Sequence, residues 1–110
     1  MFKLRNGLSG AKGPERLALL NVEHYCRSQA LQAHYWRTLL ASRLVVFDLA
    51  DVEPIMCSLK WARCKGHLLV LCSVRLAGSS ESFDYRLKIN PRRNAHLELQ
   101  RQGFRCRPRQ

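Results

Sequence analysis

An α+β domain, one long N-terminal helix packed on an antiparallel meander of about four strands, is what this 110-residue sequence predicts. Three observations lead there. Between Pro14 and Ser42 no further Gly or Pro occurs, so a helix can run unbroken. Downstream, apolar and polar residues alternate with period two in several separate runs, the mark of half-buried strands. Short clusters of Gly, Ser, Asn and Pro separate those runs, and such links suit strand-to-strand turns better than crossover helices.

Taken in order, Asn6 to Gly13 (NGLSGAKG) holds three of the six glycines and reads as a flexible lead-in covering residues 1–13. The single domain is then 14–110. Pro14 suits the first helical turn, and Glu15 lies where the dipole favours an anion. At 100° per residue Ala18, Leu19, Val22, Tyr25, Cys26, Ala30, Ala33, Trp36 and Leu40 share one broad face. Arg16, Glu23, Arg27 and His34 line up opposite, with Glu23 and Arg27 spaced for an i,i+4 pair. Leu17, Leu20, Leu31 and Tyr35 lie off the main stripe. That surplus is more than one sheet face requires, and it marks a candidate protein interface.

Leu44 to Leu49 (LVVFDL) is a short β-rich run broken by Ala50 to Pro54. Cys57, Leu59 and Trp61 alternate with polar neighbours, and Leu68, Val70, Cys72, Val74 and Leu76 do the same. A four-residue loop at Arg63 to Gly66 would set Trp61 opposite Leu68, Leu59 opposite Val70 and Cys57 opposite Cys72. Ala77 to Ser82 is the next turn. Phe83, Tyr85, Leu87 and Ile89 form another apolar face, and Asn90-Pro91 ends that strand. Asn94 to Gln102 reads as a short helix closed by Gly103, or else as more sheet through Leu97 and Leu99. Phe104 to Arg107 reads as a last strand.

The charge is uneven. Nineteen Lys and Arg against eight Asp and Glu give +11, and fourteen of the cations are Arg. Residues 1–16 carry +3, residues 17–85 carry +1, and residues 86–110 carry +7. A near-neutral body with basic ends folds without self-repulsion and leaves its cations for a polyanion. The Arg bias favours partners that accept a planar fork: phosphate, carboxylate or a base face. The sequence excludes an acidic nucleic-acid mimic. No apolar run reaches the roughly 20 residues a membrane helix needs.

Catalytic and metal chemistry find little support. Cys64 and His67 have C-x-x-H spacing, but structural zinc wants two tight pairs, and Cys57 and Cys72 lie several residues from that tip. Cys26, Cys57 and Cys72 read as small core residues. Cys64, between Arg63 and Lys65, has no base in any recognisable arrangement. Asp48, Asp51 and Glu53 form the densest acidic group, with the composition of an ordinary turn. His24 and His34 differ by about 80° around the helix and form no pair. No cofactor or metal is expected, and the protein reads as non-enzymatic.

The leading expectation is nucleic-acid binding through phosphates, DNA or RNA without sequence readout, by residues 86–110. The candidate contacts are Arg86, Lys88, Arg92, Arg93, Arg101, Arg105, Arg107 and Arg109, with Phe104 placed to stack on a base. Such a chain fits an accessory subunit or regulator of a nucleoprotein complex. The alternative is an adaptor or inhibitor docking through Leu17, Leu20, Leu31 and Tyr35, or self-associating there. Five cysteines without a CxxC pair and no secretory h-region lead to an expected cytoplasmic location.

Overall fold

Three alternating strands of this length generate one continuous apolar surface, and a 28-residue amphipathic helix is available to cover it. The computed structural model describes residues 3–41, 52–93 and 105–109, with residue 41 and residues 105–109 described by backbone alone. The elements are β1 (Arg5–Asn6), α1 (Pro14–Ala41), β2 (Pro54–Cys64), β3 (His67–Leu76), β4 (Ser82–Ile89) and β5 (Arg105–Arg109). The strands pair antiparallel in sequence order, β1-β2-β3-β4-β5, so the fold is an N-terminal helix on a β-meander. The anticipated strand at Leu44 to Leu49 and the helix at Asn94 to Gln102 lie outside the described residues.

Helix α1 starts at Pro14 as its sequence dictates, and Ala18, Leu19, Val22, Cys26 and Ala30 are buried along its sheet-facing stripe. Tyr25 and Ala33 pack at the margin. Trp36 and Leu40, expected on the same stripe, are instead 51% and 85% exposed. At about 1.5 Å per residue the helix is roughly 42 Å long, and a ten-residue strand spans only about 33 Å. Periodicity places a residue on a face but does not supply a sheet beneath it.

The covered face of the sheet contains Leu59, Trp61, Leu68, Val70, Cys72, Val74, Leu76, Phe83, Tyr85, Leu87 and Ile89, all buried. A buried side chain of this kind contributes about 1.5–3 kcal/mol. An exposed ion pair contributes about 0–1 kcal/mol. Apolar burial therefore holds helix to sheet, and the polar links between them set alignment. Those links include Arg27 Nη2 donating to Pro54 O (3.1 Å), His34 Nδ1 at 2.9 Å from Glu81 Oε2, Arg37 on the other Glu81 oxygen, and Arg63 on Glu15.

The β2–β3 hairpin corrects the anticipated register. Its loop has two residues, Lys65 and Gly66, not four, and Cys64 pairs with His67. Both loop residues have positive φ, +49° and +81°, the conformation of the type I′ turns that match strand twist. Trp61 consequently opposes Val70, and Leu59 opposes Cys72. The shift is two residues, so Leu59, Trp61 and the residues of β3 keep the face that alternation assigned to them. Cys57 does not oppose Cys72. It falls where the register slips between Met56 and Ser58, a β-bulge, and is exposed rather than in the core. Cys26 and Cys72 are buried as expected.

The glycine-rich lead-in, expected as flexible, runs along the sheet edge. Arg5 and Asn6 pair with Trp61 and Lys60, and Trp61 Nε1 donates to Gly7 O at 3.0 Å. Gly10, at φ +76°, turns the chain where a Cβ would collide with the Arg5 guanidinium. At the other edge β5 carries Pro108, which an edge strand tolerates because one side needs no ladder donor.

Two outcomes follow from this packing. Lys65→Asn, which suits the left-handed region better, should raise stability by up to about 1 kcal/mol, and Gly66→Ala should lower it by about as much. Urea melts will show the signs, and equal midpoints would remove the I′ account. Burial alone would raise the Glu81 carboxyl, but hydrogen bonds from His34 and Arg37 outweigh it and hold the group below its ordinary value of 4.5. A depressed folded-state value contributes stability above pH 4.5 that is lost as pH falls through it. The urea midpoint of the wild type should therefore drop on acidification more steeply than that of Glu81→Gln.

Candidate nucleic-acid interface

With one face of the sheet under α1, the other is free to present charge. Register places Lys60, Leu71 and Arg86 in one cross-strand row, Ala62, Leu69 and Lys88 in the next, and Ser58, Ser73 and Asp84 on the other side. Arg75 and Ser82 continue the pattern. Lys60, Arg75, Arg86 and Lys88 are all exposed, and among the described strand residues of this face Asp84 is the one acid. Along β4 the Arg86 and Lys88 positions repeat every second residue, about 6.6 Å apart. A shallow depression of about 240 Å³ lies between Lys60, Ser58, Ser73, Asp84 and Arg86. The β5 backbone sets Arg105 against Arg86, Arg107 against Asp84 and Arg109 against Ser82, so these three positions extend the same rows.

The described aromatic side chains of the sheet, Trp61, Phe83 and Tyr85, all lie on the covered face and are buried. Among the described residues, the face opposite α1 therefore offers charge without stacking platforms. Phe104, the residue placed to stack on a base, lies outside the described residues, as does Arg101.

Arg92 and Arg93 occupy a different position. Asn90 to Arg93 forms a turn in which Arg93 N donates to Asn90 O (3.2 Å) and Arg92 N to Asn90 Oδ1 (3.0 Å). Pro91 presets the backbone at the second position of that turn. Ile89 pairs with Leu68, so this turn stands beside the β2–β3 hairpin and the start of α1. Together they enclose a cleft of about 660 Å³ lined by Lys12, Glu15, Arg63, His67, Arg92 and Arg93 among others. Three chain segments far apart in sequence thus converge. Lys12 belongs to the basic N-terminal block of the sequence, and no local pattern links it to the C-terminal arginines.

Glu15 is the only acid of that cleft among the described residues, and it is engaged. Arg63 Nε and Nη2 grip its two oxygens at 2.7 and 2.6 Å, and Arg63 Nη2 also donates to Gly10 O. The Glu15 hydrogen bonds raise the Arg63 guanidinium further above its ordinary value. Arg63 and Arg5 lie over the Trp61 ring, 5.1 and 5.4 Å from its centroid. Lys12, Arg92 and Arg93 have no carboxylate partner among the described residues.

The helix residues read as a protein interface keep their off-stripe position: Leu17, Leu20 and Tyr35 are exposed, and Leu31 is half-buried. Among the described residues no group of three His, Cys, Asp or Glu side chains is arranged to hold a metal ion. Nor is any described helix long and apolar enough to cross a membrane. No family model, curated protein or solved structure matches this chain.

Proposed function

We propose that this chain is a non-enzymatic nucleic-acid-binding protein that contacts phosphates rather than base edges and acts in the cytoplasm as an accessory subunit or regulator of a nucleoprotein complex. The observation that carries the reading is the sidedness of the sheet. Its face opposite α1 displays Lys60, Arg75, Arg86 and Lys88 around Asp84, the one acid among the described strand residues there, and the β5 arginine positions fall on the same rows. Rows of cations spaced along strands suit a repeating polyanion, and the absence of described aromatics there favours backbone contact over stacking. The cytoplasmic assignment rests on a cysteine-containing sequence with no paired CxxC motif, suited to a compartment that keeps thiols reduced.

A second reading is favoured by the exposed apolar side chains of α1. Leu17, Leu20 and Tyr35 together with Trp36 and Leu40 give the helix an apolar margin that a second copy or another protein would cover.

Binding to a mixed pool of single strands, duplex DNA and RNA should be salt-dependent. Each true contact removed among Lys60, Arg75, Arg86 and Lys88 by change to Ala should lower the slope of log K against log salt by about 0.7–0.9, with no change in sequence preference. Unchanged affinity and slope in a folded fourfold variant would sink the reading. For the second reading, sedimentation should show association at raised concentration that Leu20→Glu with Tyr35→Glu abolishes. A strict monomer at every concentration would rule out self-association.

A further inference from the structure

We propose that the cleft between the start of α1, the β2–β3 turn and the Asn90–Arg93 turn receives a terminal phosphate monoester of a nucleic-acid strand, held by Lys12, Arg92 and Arg93. The inference rests on the phosphate-binding reading and adds to it the chemical form of phosphate that one part of the surface selects.

Charge is the first argument. On the opposite face of the sheet the cations are spread over several rows, with Lys60 and Arg86 on one, Lys88 on the next and Arg75 further along. In the cleft three cations with no carboxylate partner among the described residues share one concavity, because Glu15 is held by Nε and Nη2 of Arg63. His67 lines the same wall, with Nδ1 directed to Lys65 O at 3.3 Å. A strand-internal diester carries one negative charge, whereas a monoester carries about −1.5 to −2 at neutral pH. Each added unit of ligand charge interacts with all the converging cations together.

Acceptor count is the second argument. A monoester presents three unesterified oxygens and a diester two. Two guanidinium forks and an ammonium together present more donors than two oxygens can satisfy, and the third oxygen gives them a shared set of acceptors. The selectivity comes from side chains and not from the end of the helix. Pro14 has no amide hydrogen, the Glu15 amide donates to Lys12 O, and the Leu17 amide donates to Gly13 O.

Placement is the third argument. Arg86 and Lys88 advance along β4 toward Ile89, and the next turn delivers Arg92 and Arg93 to the cleft. A strand tracked along β4 reaches the cleft where the sheet stops. A volume of about 660 Å³ suits an end group and its first sugar, not a duplex shaft.

The test compares one short single strand, about 12 nucleotides long, carrying a 5′-phosphate, a 3′-phosphate or hydroxyls at both ends. Fluorescence anisotropy should show at least one phosphorylated strand binding about tenfold more tightly than the hydroxyl-ended strand. Arg92→Ala with Arg93→Ala should erase that gain, as should Lys12→Ala in large part, while hydroxyl-ended binding changes less. All three residues are exposed, and urea melts of the variants will show that the fold is kept. Equal affinity for the three strands overturns the inference while leaving phosphate binding standing. Loss of binding to every strand would instead defeat the phosphate-binding reading beneath it. Inorganic phosphate and a nucleoside triphosphate serve as competitors. If inorganic phosphate displaces the phosphorylated strand as effectively as an unlabelled phosphorylated strand does, the cleft is a free-phosphate site and the strand-end assignment is overturned.

Discussion

Burial of Trp61, Phe83 and Tyr85 beneath α1 is the constraint on which the rest of the structure depends. A single helix covers one face of a sheet, and the largest side chains of β2 and β4 are spent on that face. Strand alternation then sends Lys60, Arg86 and Lys88 to the opposite side, where burial would have cost several kcal/mol per charge. The apolar core and the cationic surface are thus two consequences of one period-two pattern. Trp61 extends the constraint outward. Its indole N–H holds Gly7 O and its ring lies beneath Arg5 and Arg63, so the lead-in and the start of the helix are anchored to the strand that fills the core.

Convergence of the cleft residues follows from the meander. In an antiparallel sheet alternate turns fall at the same end, so the β2–β3 turn and the exit of β4 are neighbours. The helix begins at that end because the lead-in is paired to β2 and turns back through Gly10. Arg63 then closes the arrangement by gripping Glu15. That pair contributes little to stability at the surface, but it engages the one acid among the described residues of the cleft that would otherwise offset Lys12, Arg92 and Arg93. Its consequence is electrostatic, because the remaining cations are left facing a shared space.

The places where alternation and structure part company share a physical origin. Cys57 obeys the period-two pattern in sequence but sits in a bulge, and a bulge leaves no periodic signature because it is a choice between two strands. The hairpin loop was read as four residues because Arg63 to Gly66 has turn composition. Two residues with positive φ close it instead, and the even shift in register leaves Leu59 and Trp61 on their assigned face. Trp36 and Leu40 lie on the apolar stripe of α1 but beyond its packed region. Their exposure depends on where the sheet ends, which no local pattern in the helix records. Arg86 and Lys88 were legible as outward-facing from their neighbours alone, whereas the association of Lys12 with Arg92 and Arg93 spans some eighty residues.

The charge asymmetry is the clearest case of the division between sequence and fold. The helix from Pro14, the faces of β3 and β4, and the concentration of cations near the two ends of the chain are written in local spacing and composition. Only the tertiary structure decided that Lys12 from one end and Arg92 and Arg93 from the other meet in one cleft. Packing also withdraws Glu15 from them and sets Lys60 in the same row as Arg86. These outcomes depend on strand order, register and a single long-range ion pair, which arise from packing one apolar face against another and not from any segment's own preferences.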